Sequence, residues 1–291
     1  MNTIDLQVHS TASDGRHIPA EVVEMAKEAG VLTISLTDHD TVKGLDEALR
    51  AGEEKGVKVI PGLEISVEEH GSHVLGYGID HTNPELLSAL EQSERDRTDG
   101  AQKTIENLKS LGFVVEWEDV LKEKTGSVVG RPHISRAILR RPENKAKLGP
   151  ISTVGEFIQA YLLEDSPHYH KRRHTSFSES IKLIHGAGGV VVWSHPAIQF
   201  PGDYEGLEKF LGELCKVGLD GLEVFTSAHS EDDAEFVQNL AIAKNLLRTA
   251  GSDFHEANSP TAKIGGYETY GFSTEDIVQK LEEAINKRKP A

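Results

Sequence analysis

The stretch Asp5-Leu6-Gln7-Val8-His9-Ser10-Thr11-Ala12-Ser13-Asp14-Gly15 is a short apolar run that delivers a histidine, and then a carboxylate, where strand gives way to turn. Period-two alternation puts Gln7 and His9 on one face of that strand. Working outward, Ile4 to His9 reads as the first strand, and Ile18-Pro19 opens a helix with proline in its first turn that stops at Gly30. Val31 to Thr37 is a second strand leading into Asp38-His39-Asp40-Thr41. A helix from about Val42 to Lys55 ends at Gly56, Val57 to Glu64 is the third strand, and Ser72 to Ile79, with His73, is the fourth. Strand and helix alternating through short connections predict parallel strands and right-handed crossovers.

From Pro84 to about Arg173 the rhythm breaks into polar, mostly helical sequence with apolar faces such as Ile105-Leu108-Leu111 and Ile134-Ile138-Leu139. Residues 84–173 are therefore expected to form a helical insert. Alternation resumes with a helix from Ser178, its expected cap, to Ala187. Gly188-Gly189 leads into Val190-Val191-Val192-Trp193, which ends at Ser194-His195-Pro196. Gly221 to Phe225 is a strand followed by His229, and Leu247 to Ala250 ends at Gly251-Ser252-Asp253-Phe254-His255. A last helix runs from about Thr274 to Arg288. The fold class is α/β, with residues 1–83 and 174–291 as the frame.

A chain of 291 residues can bury a sizeable core. Its net charge of -16 argues against long duplex nucleic acid as a partner, because counterion release needs Lys and Arg gathered on one face. Cys215, the single cysteine, lies in an apolar-periodic run and reads as helix core. No apolar run reaches the roughly 20 residues of a spanning helix, so a cytoplasmic protein with no membrane partner is expected. The run His168-Tyr169-His170-Lys171-Arg172-Arg173-His174 is the main basic patch, read as a solvated insert boundary.

Nearly every strand ends on a potential metal ligand: His9 and Asp14, His39, Glu64, His195, and Asp253 with His255, with His73 early in the fourth strand. In a barrel of parallel strands all C-terminal strand ends meet on one face, so ligands remote in sequence converge. Imidazole and carboxylate together suit Zn, Mn or Fe, and such ions generate hydroxide and neutralise phosphoryl charge. Each histidine taken alone fits a satisfied core position; their joint placement argues for a site.

Five ordered motifs, from Asp5-Leu6-Gln7-Val8-His9-Ser10 with Ser13-Asp14-Gly15, through Thr37-Asp38-His39-Asp40-Thr41, Pro61-Gly62-Leu63-Glu64 and Ser194-His195-Pro196, to Gly251-Ser252-Asp253-Phe254-His255, resemble the PHP (polymerase and histidinol phosphatase) family. The resemblance implies a distorted (β/α)7 barrel with an inserted helical subdomain acting as a lid, and two to three divalent metal ions. It implies a first ion at His9, Glu64 and Asp253, with Gln7 where the family has another histidine; a second at Glu64, His73 and His195; and a third at Asp14, His39 and His255. Gly130-Arg131-Pro132-His133 offers a histidine that competes with His73, and Arg131 and His133 are read as substrate-phosphate contacts. Glu64, His195 and Asp253 are the expected catalytic residues.

Stand-alone bacterial phosphoesterases are the most similar members. The implied activity is hydrolysis of a small phosphomonoester, a nucleotide 3′,5′-bisphosphate or short oligonucleotide end, by attack of metal-bound hydroxide. A cyclic-phosphate diesterase, a histidinol-phosphatase-like enzyme and a non-catalytic nucleotide-sensing module stand as alternatives. His229 divides between a substrate-phosphate or metal-shell residue and a loop residue, and Asp38 and Asp40 between turn residues and groups that orient His39.

Overall fold

The computed structural model describes residues 2–124, 129–163, 166–170, 175–257 and 262–288. Seven strands form one sheet in chain order: β1 Ile4–Val8, β2 Thr33–Leu36, β3 Lys58–Ser66, β4 His73–Tyr77, β5 Val190–Trp193, β6 Gly221–Thr226 and β7 Leu247–Gly251. The sheet curls until its edges meet: Val8 bridges Phe254, His9 N donates to Phe254 O at 2.8 Å, and Asp253 N donates to Gln7 O at 3.0 Å. The result is a nearly closed, distorted (β/α)7 barrel.

One strand departs from the expected parallel set. β4 pairs antiparallel with both β3 and β5, while every other neighbouring pair is parallel. The reason is connection length. Only Val67 to Ser72 separate β3 from β4, with a 3-10 turn at Glu69–Gly71, and a parallel return needs a crossover of a dozen or more residues. Reversal puts the first residue of β4, His73, at the barrel end where the parallel strands finish.

The frame is packed by helices α1 Pro19–Glu28, α2 Leu45–Lys55, the start of α3 Pro84–Ser110, α8 Phe177–Gly186, α9 Tyr204–Val217, α10 Glu231–Ala243 and α11 Ile277–Arg288. Their starts follow from side-chain caps. Asp203 and Ser230 accept from Gly206 N and Asp233 N, each meeting one orphan N–H of the first turn. At α8 the cap is Ser176, not Ser178: its side chain accepts from Glu179 N while Glu179 returns to Ser176 N at 3.0 Å. The core packs Leu6, Val8, Ile34, Leu36, Leu63, Leu75, Val191, Trp193, Leu222 and Phe225 with helix residues such as Val22, Ile181, Leu211, Val237 and Leu281.

The chain divides into two compact units, residues 1–90 with 174–291 and residues 91–173. The second has a core of its own, with Ile105, Leu108, Phe113, Val120, Ile134, Ile138 and Phe157 among its buried residues. It comprises the rest of α3 with α4 Trp117–Glu123, α5 Arg131–Arg140, α6 Lys145–Leu148 and α7 Val154–Tyr161. Of the basic run 168–174, Lys171, Arg172, Arg173 and His174 lie outside the described residues.

Candidate metal centre

Glu64, fully buried, is the hub. Its Oε1 lies 3.0 Å from His73 Nδ1 and 3.5 Å from His195 Nε2, and its Oε2 lies 3.2 Å from His9 Nε2 and 3.5 Å from His39 Nδ1. Asp253 Oδ1 stands 3.1 Å from the same His9 nitrogen, and His255 Nε2 faces Asp14 Oδ1 at 3.4 Å. Three sets of potential ligand atoms fall within 4.8 Å of one another: His9, Asp14, His39 and His255; His39, Glu64 and His73; and His9, Glu64 and Asp253.

These residues fit divalent ions by their bonding as well as their positions. His9 Nδ1 and Nε2, His39 Nδ1, His73 Nδ1 and Glu64 Oε2 are buried without a hydrogen-bond partner. Buried polar atoms are otherwise almost always paired, so a cluster of bare lone pairs aimed at common points is what ion ligation would satisfy. The free ring nitrogens of two histidines are set from behind. His255 Nδ1 lies 2.9 Å from Asp253 O, which directs Nε2 at the cluster. The orientation that satisfies the Gln199 amide puts its Oε1 3.0 Å from His195 Nδ1, with its nitrogen donating to His195 O and Pro196 O. Such partners fix tautomer and ring orientation.

Backbone geometry turns these side chains inward. His195 takes φ of 30° and Asp253 φ of 56°, left-handed positions at the ends of β5 and β7. Strain of this kind persists only where neighbours hold it. Glu223, buried in β6, accepts from His195 N at 2.9 Å, and Asp5 accepts from Ser252 N at 2.8 Å and Ser252 Oγ at 2.6 Å. Asp38 accepts from Ser10 N at 2.8 Å, Ser10 Oγ at 2.7 Å and Ser13 Oγ at 2.7 Å, shaping the turn that carries Asp14. Asp40 ties that region to β3 by accepting from Ser66 N at 3.0 Å.

The carboxylates of the site are held in their ionised form. Burial opposes charge on Glu64, but His39 and His73 beside it hold its carboxyl well below the usual range. Asp253, also buried, is brought down to about 2 by His9, and Asp14 is lowered by His255, His39 and His9. Burial brings His39 down to about 4, which keeps the ring neutral with one nitrogen lone pair free.

The cluster opens into a pocket of about 550 Å³ lined by Asp14, Arg16, Ser227, Asp253, His255 and Glu256, among others. Arg16, paired with Glu256 at 2.7 Å, brings a guanidinium to that rim. A second pocket of about 520 Å³ lies at the opposite barrel end, around Lys58, Asp80 and Glu282, and none of the ligand clusters reaches it.

The remaining residues singled out in the sequence stand outside the three sets of ligand atoms. Gln7 is wholly buried beside Glu64. His229 does not present a ring nitrogen to a substrate: Nδ1 lies 2.9 Å from Val224 O and Nε2 accepts from Ala197 N at 3.3 Å. Burial lowers it to about 4, so it clamps the β5 and β6 exits as a neutral ring. In the second unit, His133 Nδ1 accepts from Gly130 N at 2.9 Å, and the Arg131 guanidinium sits 5.5 Å from the Tyr169 ring centroid. Sequence reading passed over Ser194, Gln199 and Glu223. Only Glu223 left a signal there, as a carboxylate in an apolar strand.

The family model of the PHP domain matches residues 5–219. A 5′-3′ exoribonuclease of Haemophilus influenzae is 30% identical over 253 residues, covering 86% of this chain and 89% of that protein. A 3′,5′-nucleoside bisphosphate phosphatase of Chromobacterium violaceum is 28% identical over 288 residues, 98% of each chain. Among solved structures, a presumed metal-dependent phosphoesterase from Bifidobacterium adolescentis superposes with a TM-score of 0.76 at 28% identity, covering 97% of this chain and 96% of that one. With the matched region beginning in β1 and running past α9, and with relatives aligned over most of their own length, the chain belongs to the PHP domain family of metal-dependent phosphoesterases.

Proposed function

We propose that this protein hydrolyses a small phosphomonoester, a nucleotide 3′,5′-bisphosphate or the end of a short oligonucleotide, with Mn, Fe or Zn as its ions, in the cytoplasm. The observation that carries the reading is the set of partnerless, buried histidine and carboxylate atoms around Glu64, next to a pocket that Asp14, Asp253 and His255 line. His9, Asp14, His39, Glu64, His73, His195, Asp253 and His255 are the assigned ligands. When bound, divalent ions lower the pKa of a water and neutralise charge on the phosphoryl oxygens.

The chain's own groups do the remaining work. Glu64, ionised and facing His9, His39, His73 and His195, keeps ligands from both barrel edges in one register. His195 is held by Glu223 and Gln199 so that Nε2 points at Glu64. Asp253, at the pocket wall, is placed to accept a proton from the attacking water and to fix His9. Arg16 offers the rim a planar, bidentate cation suited to phosphate. Arg131 and His133 are the helical unit's candidates for the same task, on the strength of their motif.

The reading favours a phosphomonoester of modest size because the pocket is of small-ligand dimensions. The exoribonuclease relative keeps an oligonucleotide end in view. The test is release of inorganic phosphate from adenosine 3′,5′-bisphosphate, short 5′-phosphorylated oligonucleotides, a cyclic phosphate and histidinol phosphate, with Mn. Release dependent on ions and abolished by Asp253→Ala supports it. Tight nucleotide binding with no product from any of these, in metal-loaded protein, would replace it with the sensing module.

A further inference from the structure

The loops that leave β1 and β7 run side by side out of the cluster and are tied at successive steps. Asp14 Oδ1 faces His255 Nε2 at 3.4 Å, Arg16 N donates to His255 O at 2.9 Å, and Ala257 N donates to His17 Nε2 at 3.4 Å. Gly15 permits the tight path between them, since a methyl group there would sit 2.6 Å from His9 O. The backbone of Arg16 is thus fixed to the carbonyl of His255, and its Cα lies within about 7 Å of that of Asp14. The guanidinium stands at the pocket rim, with Nε 2.7 Å from Glu256 Oε2.

Charge decides what this pair can do. Among the described residues lining the pocket, Arg16 is the single lysine or arginine, and Glu256 is the single carboxylate outside the assigned ligands. A phosphate that enters past the rim therefore meets one fixed cation, already held by one carboxylate. An ion pair between side chains 58% and 42% exposed is weak, and release of Glu256 to water costs little. A phosphate carries up to about twice the charge of a carboxylate and takes a guanidinium through two parallel N–H···O bonds. Exchange of Glu256 for phosphate is the favoured direction.

We propose that Arg16 binds a second, non-reacting phosphate of the substrate, and that Glu256 is the counter-ion this phosphate displaces. The inference rests on the phosphoesterase reading above and deepens it: the pair selects a nucleotide with two phosphates over one with a single phosphate. A substrate without the second phosphate leaves the pair closed and gains nothing from it.

The experiment compares substrates as well as variants. With the full chain in Mn²⁺, phosphate release is followed for adenosine 3′,5′-bisphosphate, adenosine 3′-phosphate and adenosine 5′-phosphate. Arg16→Ala is expected to raise KM for the bisphosphate about 10-fold with kcat little changed, and to leave both monophosphates within about 2-fold. Arg16→Lys should recover part of the loss, as a cation without the bidentate fork. Glu256→Gln is expected to lower KM for the bisphosphate, the opposite sign, because the competing carboxylate is gone. A pair that only ties the two loops would make both substitutions damage all three substrates alike. That outcome, or Arg16→Ala with the native KM for the bisphosphate, overturns the inference while the phosphoesterase reading stands. Native protein that turns over none of the three tells against the phosphoesterase reading, and calorimetric binding of the same nucleotides then decides the inference. It stands where Arg16→Ala weakens only the bisphosphate, and falls where it does not.

Discussion

At Gly251 strand β7 passes β1 so closely that a methyl group would sit 2.5 Å from Gln7 Cβ and 2.6 Å from Gln7 N. Ordinary carbon contacts lie at about 3.5–4.0 Å, so Gly251→Ala is short by about 1 Å against atoms that no side-chain rotation can move. The strands must part, and they must do so where His9 N meets Phe254 O and Asp253 N meets Gln7 O. Overpacking costs about 1–3 kcal/mol and the two weakened hydrogen bonds about 1 kcal/mol each, for a loss on the order of 4 kcal/mol. For a chain of this size that lowers the melting temperature by roughly 10 °C. Asp253 travels with β7 and leaves its 3.1 Å position at His9. A displacement of about 1 Å at a reacting group costs about 100-fold in rate. Differential scanning calorimetry and phosphate-release kinetics measure the two effects, with Gly212→Ala as control. Gly212 lies within α9 with open space around it, so alanine there should stabilise by about 0.5–1 kcal/mol. Gly251→Ala that melts with the native protein and turns over at the native rate would refute the reasoning.

Three further outcomes are expected. His229 is lowered from 6.5 to about 4, so between those values the native state binds fewer protons than the unfolded chain and stability falls as pH falls; the loss is about 3 kcal/mol, and denaturant titrations should show the gap between native protein and His229→Asn shrinking by that amount from pH 7 to pH 4. Asp38→Ala strands the donors of Ser10 and Ser13 and should cost about 2–4 kcal/mol in chemical denaturation with a 10–100-fold weaker Mn affinity by calorimetry; unchanged affinity would mean that the Asp14 turn holds itself. Mn²⁺ at 100 times its dissociation constant should add about 2.7 kcal/mol to stability, reversed by a chelator and fading at acid pH as ligand histidines protonate.

The strand-end histidines and carboxylates were legible because buried strands, turn residues and glycines mark their own boundaries, and the residues that cluster around Glu64 sit where those boundaries fall. The direction of β4 was not, since a short apolar run looks the same parallel or antiparallel. The tell was the connection from Val67 to Ser72, too short for a crossover. The cap of α8 fell on Ser176 because two serines lie within one turn of each other and only geometry separates them. His229 stayed open in the sequence for a related reason: a histidine after a strand faces a ligand or staples two loops with the same local sequence, and only the positions of Val224 O and Ala197 N tell the two apart. Ser194 and Gln199 are common residue types whose roles exist only through space.

The antiparallel β4 also bears on the order in which the centre is built. Glu64 and His73 sit on a hairpin with Ser66 paired to His73, whereas the other residues around Glu64 come from segments separated from it by whole crossovers or by the helical unit. Closing the hairpin costs far less chain entropy and takes about 1–10 μs, ahead of any parallel pairing. A refolding chain thus presents one carboxylate–imidazole pair before the barrel exists, and an ion, were it captured there, would be a nucleus around which the remote residues of the cluster assemble. Refolding begun in Mn²⁺ should then run faster than refolding to which the ion is added late.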